Sequence, residues 1–275
     1  MPAETPLEST ELVCWKVAGG NSRVQRAVAI PGLRGVLYSY PHHSDRGGDL
    51  HYLSACGSGA IARMCSADVT GPGEEVAEFS GWLEESFSAH IHRGSPAGVL
   101  RAVNKRAVKR GLELMSTGIC LSYNSLNGKL KYCYAGHPPI QLCRAGSDEW
   151  NPLLLPSCDA PRNLPMGIDA SARFDVGEAR LRPGDQLMLY TDGLTEAFDT
   201  DGNEFGNRMW ATPCLAGADI RPEDRANGLL EAWAAHGGGW ASVQDDVTLA
   251  ILECQPYQKG NRYALFVQNN LLKKT

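Results

Sequence analysis

QLMLYTDGLTEA, the sequence of residues 186–197, is the stretch that decides the fold. Residues 186–191 are mostly apolar and predict a β-strand, which delivers Asp192 and Gly193 to a turn at its end. Three other places repeat this arrangement of an acid at the end of a strand: Asp49, Asp68 and the pair Asp245-Asp246. Each acid alone is also explained as the cap of a turn or a helix. Together they are more informative, because an apolar strand delivers each acid to a loop, and four or five carboxylates would face one another if the strand ends converge.

A group of carboxylates implies a divalent cation. Like charges at close range cannot all stay ionised unless something neutralises them. Hard oxygen ligands without a His or Cys cluster favour magnesium or manganese over zinc. Two such ions can orient a hydroxide for in-line attack on phosphorus. Gly71 and Gly73 follow Asp68 and would let the backbone come close to an ion and its waters.

The order of the other elements favours the α+β class. Apolar residues at spacings of three and four predict a helix over residues 74–90, and Ser95-Pro96 predicts the start of a second helix. A turn is expected at 46–49 and a strand at 172–181, and the chain closes with a helix at 223–235 and a strand at 247–253. This order lacks the strand–helix alternation of a parallel sheet and fits antiparallel sheets with helices outside.

The second predicted helix has one strongly basic face. Its cationic residues are Arg101, Lys105, Arg106, Lys109 and Arg110. Two interpretations are open: the face is an ordinary solvated surface, or it is a docking patch for an acidic partner.

Composition restricts the class of protein. The chain has 275 residues, of which 43% are apolar, and its net charge is −5, which disfavours general nucleic-acid binding. The nine cysteines are odd in number and form no C-x-x-C pair, so we expect buried free thiols rather than disulfides or a zinc site. No segment approaches the roughly 18 apolar residues of a membrane span, and the N-terminus lacks a signal pattern. We therefore expect a reduced, cytoplasmic protein without a membrane partner.

Five segments in order resemble the PPM-type metal-dependent protein serine/threonine phosphatases, in particular their bacterial SpoIIE/RsbU-like branch. They are residues 47–49, 68–73, 135–139, 181–197 and 245–249. The resemblance implies an α+β sandwich of two antiparallel β-sheets flanked by α-helices. It also implies a phosphatase domain at 21–254, after an N-terminal leader at 1–20 and before a C-terminal tail at 255–275. The tail is open to interpretation as a docking helix, an added strand or a disordered end.

The resemblance also implies a set of site residues and two divalent cations, Mn²⁺ or Mg²⁺. Asp68 matches the acid that bridges both ions and Asp192 the second metal acid, so these two are the expected catalytic residues. The other metal ligands implied are Asp49, the Val69 carbonyl, Asp245 and, as the less favoured neighbour, Asp246. In such enzymes a metal-activated hydroxide attacks phosphoserine or phosphothreonine without a phosphoenzyme. From its chemistry alone, Arg46 is either a bidentate ligand of substrate phosphate or a solvated loop arginine.

The branch further implies a protein substrate: a phosphorylated STAS-domain anti-sigma factor antagonist in a partner-switching circuit. Two sources of control are open: an activating partner protein, or movement of the helices at 74–110. Ala67 and Pro72 depart from the family pattern, in which Gly and a polar or basic residue are usual. They leave open a second hypothesis, a catalytically weak or inactive phosphoprotein-binding scaffold of the same fold. A third hypothesis is a hydrolase of a small phosphoester. The general acid is unassigned, since Thr70 stands where other branches carry a His.

Overall fold

Two six-stranded antiparallel sheets form the centre of the computed structural model. The structure describes residues 14–42, 45–56, 59–70, 74–111, 115–156, 162–239 and 245–256. The first sheet has the strand order β1 (Cys14–Ser22), β4 (Arg46–Cys56), β5 (Ile61–Val69), β6 (Ser116–Asn124), β7 (Lys129–Ala135) and β10 (Gly177–Arg180). The second has the order β2 (Val24–Ile30), β3 (Leu33–Tyr40), β12 (Val247–Cys254), β11 (Gln186–Tyr190), β8 (Gln141–Cys143) and β9 (Trp150–Pro152).

Helices cover the outer faces of both sheets. The described helices are α1 (Glu74–His90), α2 (Pro96–Arg110), α3 (Asp192–Thr195), α4 (Gly206–Met209) and α5 (Pro222–His236). The prediction of a helix at 74–90 is confirmed, and α2 begins where Ser95-Pro96 predicted it. There the Ser95 hydroxyl accepts a hydrogen bond from the Gly98 N–H at 3.1 Å, and Pro96 supplies a first residue that needs no N–H partner.

Three apolar clusters hold these layers together. One lies between the sheets and includes Leu53, Leu121 and Leu189, all buried. A second packs the first sheet against α1 and α2, and the third packs the second sheet against α5 through Trp233 and its neighbours. The molecule is thus layered as helices, sheet, sheet and helix, which confirms the predicted sandwich of two antiparallel sheets flanked by helices.

The first strand begins earlier than the sequence indicated. Residues 14–20, which we assigned to a leader, form most of β1, and β1 pairs antiparallel with β4. The pairing is irregular between Lys16 and Ala18 and again between Gly20 and Ser22. These irregularities break the period-two alternation by which a strand is recognised. Residues 1–13, and 257–275 of the expected tail, lie outside the described part.

Two local predictions were wrong. Residues 46–49 were expected to form a turn but begin β4, and Asp192-Gly193 was expected to form a turn but opens α3. In both places tertiary contacts, described below, hold the glycines in regular structure. The strand expected at 172–181 is limited to Gly177–Arg180.

The cysteine prediction agrees with the structure where it is described. Seven described cysteines are free, and six of these are buried. Among the described helices, none is long and apolar enough to cross a membrane.

Candidate active site

Both sheets contribute acids to one region. Asp49 lies in β4 and Asp68 in β5, and these strands are neighbours in the first sheet, where Leu50 pairs with Ala67. Asp192 follows β11, and Asp245-Asp246 precedes β12, its neighbour in the second sheet. The charges of Asp192, Asp245 and Asp246 act on Asp68, so the two sheets bring these side chains together. This convergence agrees with the expectation drawn from the strand ends.

Asp246 ties three chain segments together. Its carboxylate accepts backbone N–H bonds from His42 at 2.6 Å, from Gly48, and from Asp49 at 3.3 Å. A Cβ on Gly47 would lie 2.1 Å from Asp246 Oδ2, so only glycine leaves space for this carboxylate. The contact explains why 46–49 is strand rather than turn: the bonds to Asp246 hold the start of β4 in place.

Asp49 is the most deeply buried of the acids, with 3% of its surface exposed. Thr191 Oγ1 donates a hydrogen bond to Asp49 Oδ2 at 2.7 Å and accepts one from the Thr248 N–H at 2.9 Å. Asp49 Oδ1 is buried and has no hydrogen-bond partner among the described residues. Burial, and then the charge of Asp68, raise the pKa of Asp49 well above its usual range.

Three further acids, Asp68, Asp245 and Glu196, also have raised pKa values. Burial, followed by the charges of Asp192 and Asp245, raises the pKa of Asp68 to about 7. Burial also raises the pKa of Asp245, and the charge of Asp192 adds to this effect. Glu196 follows the same pattern, its pKa raised by burial and then by Asp192. Carboxylates that repel one another in this way form a strong site for positive charge.

Sequence reasoning missed two members of this region, Glu196 and Thr191. The signal for Glu196 was its spacing of four from Asp192, which places both side chains on one side of a short helix once α3 forms. The role of Thr191 depends on β11 lying beside β12 and close to β4, which no local pattern of residues shows.

The donor set fits hard divalent ions. All the acids offer oxygen ligands, and Asp49 Oδ1 has no hydrogen-bond partner among the described residues. The Val69 carbonyl oxygen would lie 2.9 Å from a Cβ on Gly48, so a glycine at position 48 leaves that oxygen accessible from one side. Among the described residues, no group of three or more His, Cys, Asp or Glu side chains is close enough to share one metal ion. Magnesium usually keeps several waters and takes only one or two carboxylates, so a closed cage is not required. Gly71 and Gly73 lie outside the described residues.

His137 and Arg46 differ in their exposure to solvent. His137 is buried, its Nδ1 lies 3.1 Å from the Pro138 carbonyl, and its Nε2 has no hydrogen-bond partner in the described part of the chain. Burial lowers its pKa, while the charge of Asp192 acts in the opposite direction. Arg46 begins β4 and is exposed to solvent, and a role in binding phosphate stays a prediction.

The model of the family described as stage II sporulation protein E, or SpoIIE, matches residues 59–255. The chain belongs to the SpoIIE family. It is therefore an enzyme of the PP2C-like (PPM) class of protein serine/threonine phosphatases, as the sequence motifs predicted.

Several solved structures of similar fold align with most of this SpoIIE-family chain. The RsbU and RsbW domains of Rv1364c from Mycobacterium tuberculosis match with a TM-score of 0.68 and 22% identity, over 92% of this chain and 70% of that one. The PP2C phosphatase domain of SpoIIE from Bacillus subtilis, with a fragment of its regulatory domain, matches with a TM-score of 0.67 and 15% identity, over 90% and 72%. The catalytic domain of the phosphatase PstP, in complex with two manganese ions, matches with a TM-score of 0.55 and 16% identity, over 81% and 98%. At these identities the likeness establishes the fold.

Proposed function

We propose that this SpoIIE-family member hydrolyses phosphoserine or phosphothreonine in a protein, with Mn²⁺ or Mg²⁺ held by the acids described above. The observation that carries the proposal is the convergence of carboxylates from two sheets on Asp68, whose pKa is raised to about 7 by burial and then by the charges of Asp192 and Asp245. A divalent cation would neutralise this group of carboxylates, and their oxygen ligands suit hard cations. The solved PstP structure with two manganese ions adds support from a protein of similar fold.

The residues proposed to hold two ions divide between the sheets. Asp68 lies between the acids of both sheets and is the candidate bridge, and Asp192 and Asp245 complete the set from the second sheet. The Val69 carbonyl and the unpaired oxygen of Asp49 lie on the side of the first sheet. Asp246 is the weaker candidate because its carboxylate already accepts backbone N–H bonds. When bound, the ions would supply an activated water and neutralise charge on the phosphoryl group.

The chain's own residues contribute positioning and proton control. Thr191 fixes the orientation of Asp49 by its hydrogen bond, and Asp246 fixes the backbone that carries Asp49. Glu196 is close enough to Asp192 for the charge of Asp192 to raise its pKa, after burial, and it is the carboxyl group proposed to exchange protons at the rim of the site. Arg46, exposed at the start of β4, is proposed to contact the substrate phosphate.

The proposed substrate is a phosphorylated STAS-domain anti-sigma factor antagonist, and an activating partner protein is proposed to control turnover. Membership of the SpoIIE family and the likeness in fold to an RsbU domain support this choice.

The experiment is phosphate release from p-nitrophenyl phosphate with and without manganese, for the wild type, Asp192→Asn and Asp219→Asn. Asp219 is an exposed acid outside the site and serves as the matched control. We expect manganese-dependent release in the wild type and the control, and its loss in Asp192→Asn. Release that is independent of metal, or retained in Asp192→Asn, would contradict the metal assignment.

The substrate is tested by phosphate release from a phosphorylated STAS-domain protein, compared with a phosphoserine peptide of unrelated sequence. We expect faster release from the STAS-domain protein. Binding of that protein without release, by an enzyme that binds manganese in calorimetry, would instead support the scaffold hypothesis.

A further inference from the structure

A basic groove lies beside α2, one of the helices that pack against the first sheet. It runs between α2 and the segment 162–175 and has a volume of about 640 Å³. Its lining includes four cationic side chains: Arg101, Lys105, Arg162 and Arg173. We use the name basic groove for these four residues and the space between them.

The charge of this groove is poorly neutralised. Asp175 is the one acid among its lining residues, and it pairs with Arg162 at 2.7 Å. No ion pair joins Arg101, Lys105 or Arg173 to an acid within the described part of the chain. The whole chain has a net charge of −5, so a concentration of positive charge here runs against the overall balance. Such a patch attracts anions selectively and steers their approach.

The basic surface continues into a neighbouring depression of about 330 Å³, which shares Arg101 and Lys105 and adds His90 and Arg93. Together the two hollows offer space for an extended segment rather than for a single small ion.

The groove has firm walls. The side chain of Asn104, on the buried side of α2, donates to the Asp169 carbonyl at 2.7 Å and accepts from the Gly167 N–H at 2.9 Å. These bonds fasten the segment 162–175 to the helix, so the groove is formed before a partner arrives. A preformed site loses less conformational entropy on binding than one that must be ordered.

The same segment reaches toward the acids. The Asn163 carbonyl accepts from the Gly136 N–H at 2.8 Å, next to His137, and Met166 exchanges backbone hydrogen bonds with Ser116 in β6. A partner held in the basic groove would therefore contact a segment that is hydrogen-bonded to Gly136, the residue before His137.

We propose that the basic groove binds an acidic segment of a partner protein. A protein segment fits better than a long nucleic acid, since the rest of this acidic molecule would repel a polyanion that extends beyond the groove. A concave groove also matches a chain segment better than it matches a flat membrane.

The test measures binding of a fluorescein-labelled oligoglutamate peptide by anisotropy, at low salt, to the wild type and to three single variants. Arg101→Glu and Lys105→Glu reverse charges in the groove. Lys109→Glu makes the same change on the same helix outside the lining and is the matched control. We expect the two groove variants to bind about tenfold more weakly, as reversal of one close charge implies, and the control to change less than about twofold.

Three outcomes would overturn the proposal: no binding by the wild type, equal weakening in all three variants, or tighter binding of a labelled oligoribonucleotide that competes for the same residues. Thermal unfolding of each variant checks that the fold is retained. The readout does not depend on phosphatase turnover, so failure here and failure of the proposed function are separate results.

Discussion

Gly193 is the position at which a single methyl group should do most damage to the site. A Cβ placed there would lie 2.1 Å from the backbone carbonyl oxygen of Asp246 and 3.3 Å from Asp245 Cβ. On the other side, the indole N–H of Trp233 donates to the Gly193 carbonyl at 3.2 Å. The helix α3 is therefore held between α5 and the segment before β12, and neither neighbour offers a free side-chain end that can swing away.

The magnitude follows from these distances. A carbon atom and a carbonyl oxygen approach to about 3.3 Å, whereas the added Cβ would lie 2.1 Å from the Asp246 oxygen, so the Asp246 backbone or α3 must move by roughly 1 Å in Gly193→Ala. Overpacking of this kind costs about 1–3 kcal/mol, which outweighs the gain of at most about 1 kcal/mol from the better helix propensity of alanine. A displacement of about 1 Å at reacting groups costs about a hundredfold in rate. We expect Gly193→Ala to lose stability and manganese-dependent turnover together.

The assay is urea unfolding followed by phosphate release, with Gly81→Ala as the control. Gly81 lies inside α1, and a Cβ there would meet no atom within 4 Å. The control should gain up to about 1 kcal/mol and keep full activity. If Gly193→Ala is as stable as the wild type and equally active, α3 does not pack as closely against the Asp246 backbone as described, and the reasoning is refuted.

Two further substitutions test the electrostatics and support of the site, and one tests the fold. The pKa of Asp68 rises from 3.8 to about 7 on folding, so metal-free protein should lose stability as pH rises through that range, because the folded state binds the proton more tightly. Asp68→Asn should flatten this slope in thermal unfolding with a chelator; an unchanged slope would contradict the assignment. Thr191→Val removes two hydrogen bonds, so it should lower the free energy of unfolding by about 1–3 kcal/mol and weaken activation by manganese. Thr191→Ser keeps the hydroxyl, so it should preserve the stability measured by urea unfolding and the activation measured by metal titration. Arg225 is buried and donates to the carbonyls of Cys214 and Leu215, so Arg225→Met should lower the unfolding temperature yet leave kcat unchanged for the folded fraction.

Local patterns of residues predicted the elements that carry their own signals. The helix at 74–90 follows from its apolar spacing, and the start of α2 follows from the Ser95-Pro96 pair. The grouping of acids was also predictable, since each carboxylate stands at the end of an apolar strand and motifs of a known family contain them. The identity of each metal ligand is still a prediction.

What the sequence did not show depends on contacts between distant segments. Residues 46–49 read as a turn because of Gly47 and Gly48, yet the glycines serve to admit the Asp246 carboxylate, about two hundred residues away. The strand β1 has irregular pairing and exists because β4 lies beside it. Thr191 gains its role from the adjacency of β11 and β12.

The division of the acids between two sheets makes the site sensitive to how the layers align. Asp49 and Asp68 are fixed to one sheet, while Asp192 and Asp245 are fixed to the other, and the apolar side chains between the layers help to set their offset, together with the hydrogen bonds of Thr191 and Asp246 to β4. A substitution that changes the volume of the side chain at Leu53 or at another interlayer residue would shift Asp49 and Asp68 relative to Asp192 and Asp245, without contact between the substituted residue and any of these acids. Packing between the sheets can therefore change the distances between the acids without any change in the acids themselves. We expect related chains that differ in their interlayer residues to differ in metal preference.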